Sequence, residues 1–296
     1  MSSPLGPTGF AALVCTGVFG ACLGTSGAAG EDGGRVDVAI LTFSRTALRA
    51  VVERLDEGSP VANESAPPET GEWTRGRVLP PRRGTPYRLA VGLAPHPGRA
   101  AAESVARTAL RRWQPRYILL IGTAVGLADA PASGSVALCR MIWRYDMEGQ
   151  RVIPRRERSF RAEGALVAAA LSIEPGWRER LRGDGSVDAE SARLVTGACA
   201  SGDASDDSRS VRQQLLRANP RTIVAEREGD GAAAAVQEAR DRGTPVGFAM
   251  IRTVTERPGP PSSARGGDAM TPEVLAAAFA VHLIRFGWPV PPRPER

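Results

Sequence analysis

Tyr117 to Gly126 reads YILLIGTAVG. The unbroken apolar run Ile118 to Ile121 is the pattern of a strand covered on both faces, as in the middle of a sheet flanked by helices. Gly122-Thr123-Ala124-Val125-Gly126 then turns at its carboxyl end, where such sheets present backbone to ligands. Upstream, residues 98–113 have helical propensity and spacing and are stopped by Pro115, while residues 87–92 and the stretch VDVAIL at 36–41 read as strands. Residues 46–55 place Leu48, Val51, Val52 and Leu55 on one helix face, and the polar stretch 56–86 reads as loop or irregular hairpin.

The downstream half repeats the alternation. Residues 134–146 predict one or two strands, followed by a polar excursion to Phe160, a helix near 162–171 and loop from 174 to 191. Strands are expected at 192–203 and 246–254 and over Thr222-Ile223-Val224-Ala225, with helices at 208–220, 231–242 and 271–287. Pro272 in its first turn and Gly287 at its stop frame the last helix. The pattern predicts one α/β domain over residues 35–288, a three-layer fold whose central mixed sheet carries helices on both faces. Residues 1–34 read as a disordered or leader-like extension, and 289–296 as a Pro/Arg-rich tail.

Composition narrows the function classes. Of 296 residues, 42% are hydrophobic and 24% charged, which suits a soluble globular chain. All 38 basic residues are arginines, and with 32 acidic residues the net charge is +6. The arginines are scattered with little aromatic interleaving, so a nucleic-acid surface is not expected. Cys15, Cys22, Cys139 and Cys199 lack metal-ligand spacing, which argues against a zinc site and a disulfide framework and leaves Cys139 and Cys199 as core fillers. Residues 10–23 are apolar but too short to span a bilayer, and no basic residue precedes them. A cytoplasmic protein without membrane contact is expected, with export through residues 1–30 the alternative.

Three turns stand at the carboxyl ends of predicted strands: Gly122 to Gly126, Ser201-Gly202-Asp203, and Glu226-Arg227-Glu228-Gly229. Glycines admit close backbone approach, hydroxyl and N–H groups bind anions, and carboxylates accept hydrogen bonds from sugar hydroxyls. In order and spacing the set resembles the purine nucleoside phosphorylase and methylthioadenosine nucleosidase superfamily from about Val36 to Phe286. VDVAIL is similar to that family's opening strand, IGTAVGLA to its G-x-A-G-G turn and ACASGD to its serine-glycine-aspartate turn. VAEREG resembles its V-E-M-E-G/A motif, and AMIRTVTE its V-I-R-x-I-S-D strand.

The resemblance implies cleavage of the bond between ribose and a purine, by water or by phosphate. It implies that Glu228 holds the ribose hydroxyls, that Glu226 assists or orders water, and that Thr123 with Gly122 contacts water or phosphate. Ser201, Gly202 and Asp203 would wall the base, Glu256 would protonate it, and Arg252 would form an ion pair, with Glu226 for example, or touch ligand. No cofactor or metal is implied beyond phosphate as a possible co-substrate, and a homo-oligomer is expected.

The departures are equally specific. Thr42 to Ala47 contains no carboxylate where nucleosidases place a general base, Glu256 replaces an aspartate, and Arg227 replaces an apolar methionine. The turn after Asp203 lacks a stacking aromatic, and Ser135 replaces an aspartate. Two accounts stay open: a divergent nucleosidase or phosphorylase acting on a purine nucleoside or nucleotide, with Arg227 free to meet a phosphate, or a catalytically inactive nucleoside or nucleotide sensor or scaffold.

Overall fold

The computed structural model describes residues 34–60, 71–82, 84–127, 133–183, 192–202, 209–255 and 270–294. In chain order the elements begin β1 (Val38–Thr42), α1 (Arg45–Val52), β2 (Glu57–Pro60), β3 (Glu72–Val78), β4 (Tyr87–Leu93), α2 (Arg99–Trp113) and β5 (Tyr117–Gly126). They continue through β6 (Val136–Glu148), β7 (Arg151–Arg161), α3 (Gly164–Gly183), β8 (Leu194–Ser201) and α4 (Arg209–Ala218). Last come β9 (Thr222–Glu226), α5 (Gly229–Asp241), β10 (Gly247–Thr255) and α6 (Pro272–Gly287).

β5 is the hub of the sheet. It lies parallel to β1 and to β10, and its far end, at Val125 and Gly126, pairs antiparallel with β9. β10 pairs with β6, β6 with β8 and β8 with β9, so β5, β10, β6, β8 and β9 join in a closed circuit. On the other side the sheet runs from β5 through β1, β4 and β3 to β2. This is the expected three-layer α/β architecture with a mixed sheet.

Alternation along β5 explains its apolar run. Ile118 and Leu120 enter one core with α2 and α5, while Leu119 and Ile121 enter a second core with α1, α3 and α6. A third, smaller core seats Val211 and Leu215 of α4 on Trp143, Tyr145, Ala198 and Ala200.

Three stretches differ from the expectation. The polar excursion before Phe160 is a strand, β7, formed by hairpin pairing with β6 rather than by an apolar pattern of its own. The helix expected at 162–171 continues to Gly183 through Pro175, because Trp177 and Leu181 are buried and Trp177 packs edge-on against Phe279 of α6, 4.8 Å between ring centres. Finally, Cys139 and Cys199 are core residues but also form a disulfide, against the expectation from spacing. They stand on the adjacent strands β6 and β8, where a register shift after Cys139 leaves the Cα atoms 5.6 Å apart.

The carboxyl-terminal residues are anchored at the amino ends of the strands. Buried Asp37 accepts hydrogen bonds from the Arg88 and Arg293 N–H groups, Tyr87 Oη donates to the Val290 carbonyl, and Trp288 packs edge-on against Tyr117. Among the described residues no helix is long and apolar enough to cross a membrane.

Candidate active site

β9 ends at Glu226, and α5 starts three residues later at Gly229. The Glu226 carboxylate folds forward over that start. It accepts hydrogen bonds from the Glu228 N–H at 2.9 Å and from the Gly229 N–H at 2.9 and 3.0 Å, satisfying donors that open the helix. The turn requires glycine at 229: a Cβ there would lie 2.7 Å from both Glu226 Oε1 and Met250 Sδ.

Arg252 of β10 reaches the same carboxylate from the neighbouring side of β5. Its Nη2 donates to Glu226 Oε2 and, at 3.0 Å, to Glu228 Oε2, while its Nε is buried without a hydrogen-bond partner among the described residues. The guanidinium passes over Gly122, its partner in the β5–β10 register, and a Cβ at Gly122 would collide with it. Glu228 Oε1 also accepts from the Gly98 N–H at 3.2 Å, tying the turn to the loop before α2. Two carboxylates thus share one guanidinium. Burial pushes the Glu226 carboxyl above its ordinary value, Arg252 pulls it down, and the Glu228 charge adds to the push.

This cluster forms part of the wall of a cavity of about 410 Å³, a size that accepts a nucleoside. Gly122, Thr123, Glu226, Arg227, Glu228 and Arg252 all line it. Ser201 and Gly202 do not reach the wall. Fully buried Ser201 accepts from the Asp230 N–H at 2.9 Å through Oγ, and the Gly202 N–H donates to the Glu226 carbonyl at 3.0 Å, so both brace the β9–α5 turn from behind. Asp203 and Glu256 lie outside the described residues. Among the described residues no group of three or more His, Cys, Asp or Glu side chains could hold a metal ion.

The cavity also contains residues that no motif marked. On the β1 side, Phe43, Ser44 and Ala47 line it, with Ser44 Oγ also capping α1 by accepting from the Ala47 N–H at 3.1 Å. Glu273, in the first turn of α6, lines it too. On the β9 side, α4 contributes Val211, Arg212 and Leu215. Nothing in the local sequence around Arg212 or Glu273 signals a site; tertiary packing of α4 and α6 brings them there.

Residues 37–285 match the Phosphorylase superfamily. The chain belongs to this family. No curated protein sequence matches it significantly. Solved structures of the phosphorylase-superfamily fold cover 84% of the chain at low identity. A 5′-methylthioadenosine/S-adenosylhomocysteine nucleosidase from Neisseria meningitidis, in complex with methylthio-immucillin-A, aligns over 98% of its own length with a TM-score of 0.61 and 17% identity. The corresponding nucleosidase of Colwellia psychrerythraea, in complex with adenine, aligns over 95% of its length at 0.63 and 17%. Futalosine hydrolase of Helicobacter pylori aligns over 97% of its length at 0.61 and 14%. Within the phosphorylase superfamily, then, these likenesses establish the fold of the chain.

Proposed function

We propose that the protein cleaves the N-glycosidic bond of a purine nucleoside or nucleotide, with water as nucleophile. The observation that carries this reading is the buried Glu228 carboxylate, held by Arg252 and the Gly98 N–H on the wall of a nucleoside-sized cavity. A carboxylate fixed in that way accepts hydrogen bonds from ribose hydroxyls, and those bonds strengthen as the sugar becomes a cation. The hydrolases and nucleosidases that share the fold support the same chemistry.

The bond between C1′ and the base nitrogen breaks with its electron pair going to the base, which takes a proton from an acid. Glu256 follows directly on Thr255, the last residue of β10 and itself on the cavity wall, and is our candidate for that acid. Water then adds to C1′ and gives up a proton. The β1–α1 turn carries no carboxylate for this, but Glu273 lines the same side of the cavity and makes no ion pair among the described residues. We assign it the role of base.

The test is release of free base from purified protein incubated with purine nucleosides and nucleotides, with and without phosphate. Release without phosphate supports hydrolysis, and release that requires phosphate replaces water by phosphorolysis. Glu228→Gln is expected to raise KM and lower turnover together. Glu273→Gln is expected to lower turnover by about a hundredfold to ten-thousandfold. Absence of free base from every substrate, with ligand-induced thermal stabilisation retained, would leave binding without catalysis.

A further inference from the structure

Two arginines on the cavity wall have no counter-charge among the described residues. Arg212 projects from α4, whose neighbouring residues Val211 and Leu215 are fixed in the small core. Its Nε is sealed from solvent and has no hydrogen-bond partner among the described residues. Arg227 is exposed between Glu226 and Glu228 and lines the same cavity. Among the described residues neither arginine side chain forms a hydrogen bond or an ion pair. Their neighbours behave differently: Arg99 pairs with Asp230, Arg144 and Arg155 with Asp146, and Arg252 with Glu226 and Glu228.

Among the described residues, the carboxylates of the cavity do not pair with these arginines. Glu226 and Glu228 are engaged by Arg252, and Glu273, in the first turn of α6, which packs against α1, makes no ion pair among the described residues. Arg212 and Arg227 approach from α4 and β9, and β9 borders β5 on the side away from β1. Arginines on a cavity wall with no acceptor among the described residues suit an acceptor that arrives with the ligand. Two guanidinium forks match the several oxygens of a phosphate better than any neutral sugar or base edge.

We propose that Arg212 and Arg227 seat a phosphate group carried by the nucleoside itself, so that the ligand class is a purine nucleotide. This rests on the nucleoside site proposed above and specifies its substrate. Glu228 then holds the ribose between a phosphate end, at α4 and β9, and a water end, at β1 and α6.

Binding by calorimetry tests this independently of turnover. The probes are AMP against adenosine, GMP against guanosine, and inorganic phosphate alone or with each nucleoside, on the wild-type protein and on Arg212→Met, Arg227→Met and the double variant. The wild-type protein is expected to bind at least one nucleotide about tenfold or more tightly than its nucleoside. The double variant should bring that ratio to about one while leaving nucleoside affinity within about twofold. Equal affinity for nucleotide and nucleoside in the wild-type protein, or an unchanged ratio in the double variant, overturns the seat. Tighter nucleoside binding in the presence of inorganic phosphate, with no advantage for the nucleotide, overturns the tethered phosphate in favour of a free one. A protein that keeps the arginine-dependent ratio yet releases no base retains the seat and refutes the cleavage reading alone.

Discussion

Arg252 holds two carboxylates at once, and removing it would leave Glu226 and Glu228 side by side in a buried turn. Replacement by methionine is expected to destabilise the protein by about 3–5 kcal/mol in urea unfolding, the usual result of orphaning a buried charge. Glu226 already sits above its ordinary value, so the folded state binds more protons than the unfolded state in the range just above that value. Without Arg252 that window widens upward, and the deficit of the variant should grow as pH rises. A loss under about 1 kcal/mol, flat with pH, would mean that the triad does not hold the turn. His282 shows the opposite linkage. Burial, with Arg180 and Arg285 nearby, lowers its pKa from 6.5 to about 4, and its ring lies 4.5 Å from Phe286. The folded protein therefore refuses a proton that the unfolded chain accepts, so the contribution is full above 6.5 and is lost as pH falls toward 4. A His282 resonance, assigned by its loss in a His282→Gln variant, with a midpoint near 6.5 would contradict this packing. Glu226 and Glu228 were legible in the sequence because they lie at and beside a turn that ends a strand, and Arg252, inside β10, because AMIRTVTE resembles the family's strand. Arg212 and Glu273 were not, since each is an ordinary charged residue on a helix until that helix is docked.

At the scale of elements, apolar pattern exposed the strands that are buried on both faces, and failed where another element does the stabilising. β7 is rich in exposed arginine and exists because β6 offers it a ladder; α3 passes Pro175 because α6 receives Trp177. The β6–β8 disulfide was invisible for a related reason. Its cysteines are 60 residues apart, and only the parallel pairing of two strands separated by β7 and α3 brings them together. Cross-linking a loop of that length restricts the unfolded chain, so the Cys139→Ala/Cys199→Ala double variant is expected to lose up to about 4 kcal/mol by the loop-entropy estimate. Urea unfolding of oxidised wild type against the double variant measures it. Equal midpoints and slopes would show that the bridge adds nothing to packing already supplied by two buried side chains.

Across the whole molecule, stability and ligand chemistry occupy opposite ends of the strands. At the carboxyl ends, β5, β9 and β10 deliver Thr123, Glu226 and Thr255 to one cavity, with Arg252 reaching in from within β10. At the amino ends, Tyr117 receives Trp288, and Tyr87 and Asp37 receive Val290 and Arg293 from the stretch that the sequence marked only as a Pro/Arg-rich tail. Truncation after Trp288 would remove the Arg293 N–H, 2.8 Å from buried Asp37 Oδ1, together with the carbonyls that accept from Tyr87 and Arg116. Loss of a donor to a buried carboxylate costs about 1–3 kcal/mol, so the truncated protein should melt several degrees lower. Its affinity for AMP should nevertheless stay within about twofold of the full chain, because the lost contacts lie at the other end of β1 and β5 from Ser44 and Thr123. A truncation that weakens nucleotide binding along with stability would show that the two ends of the sheet are coupled.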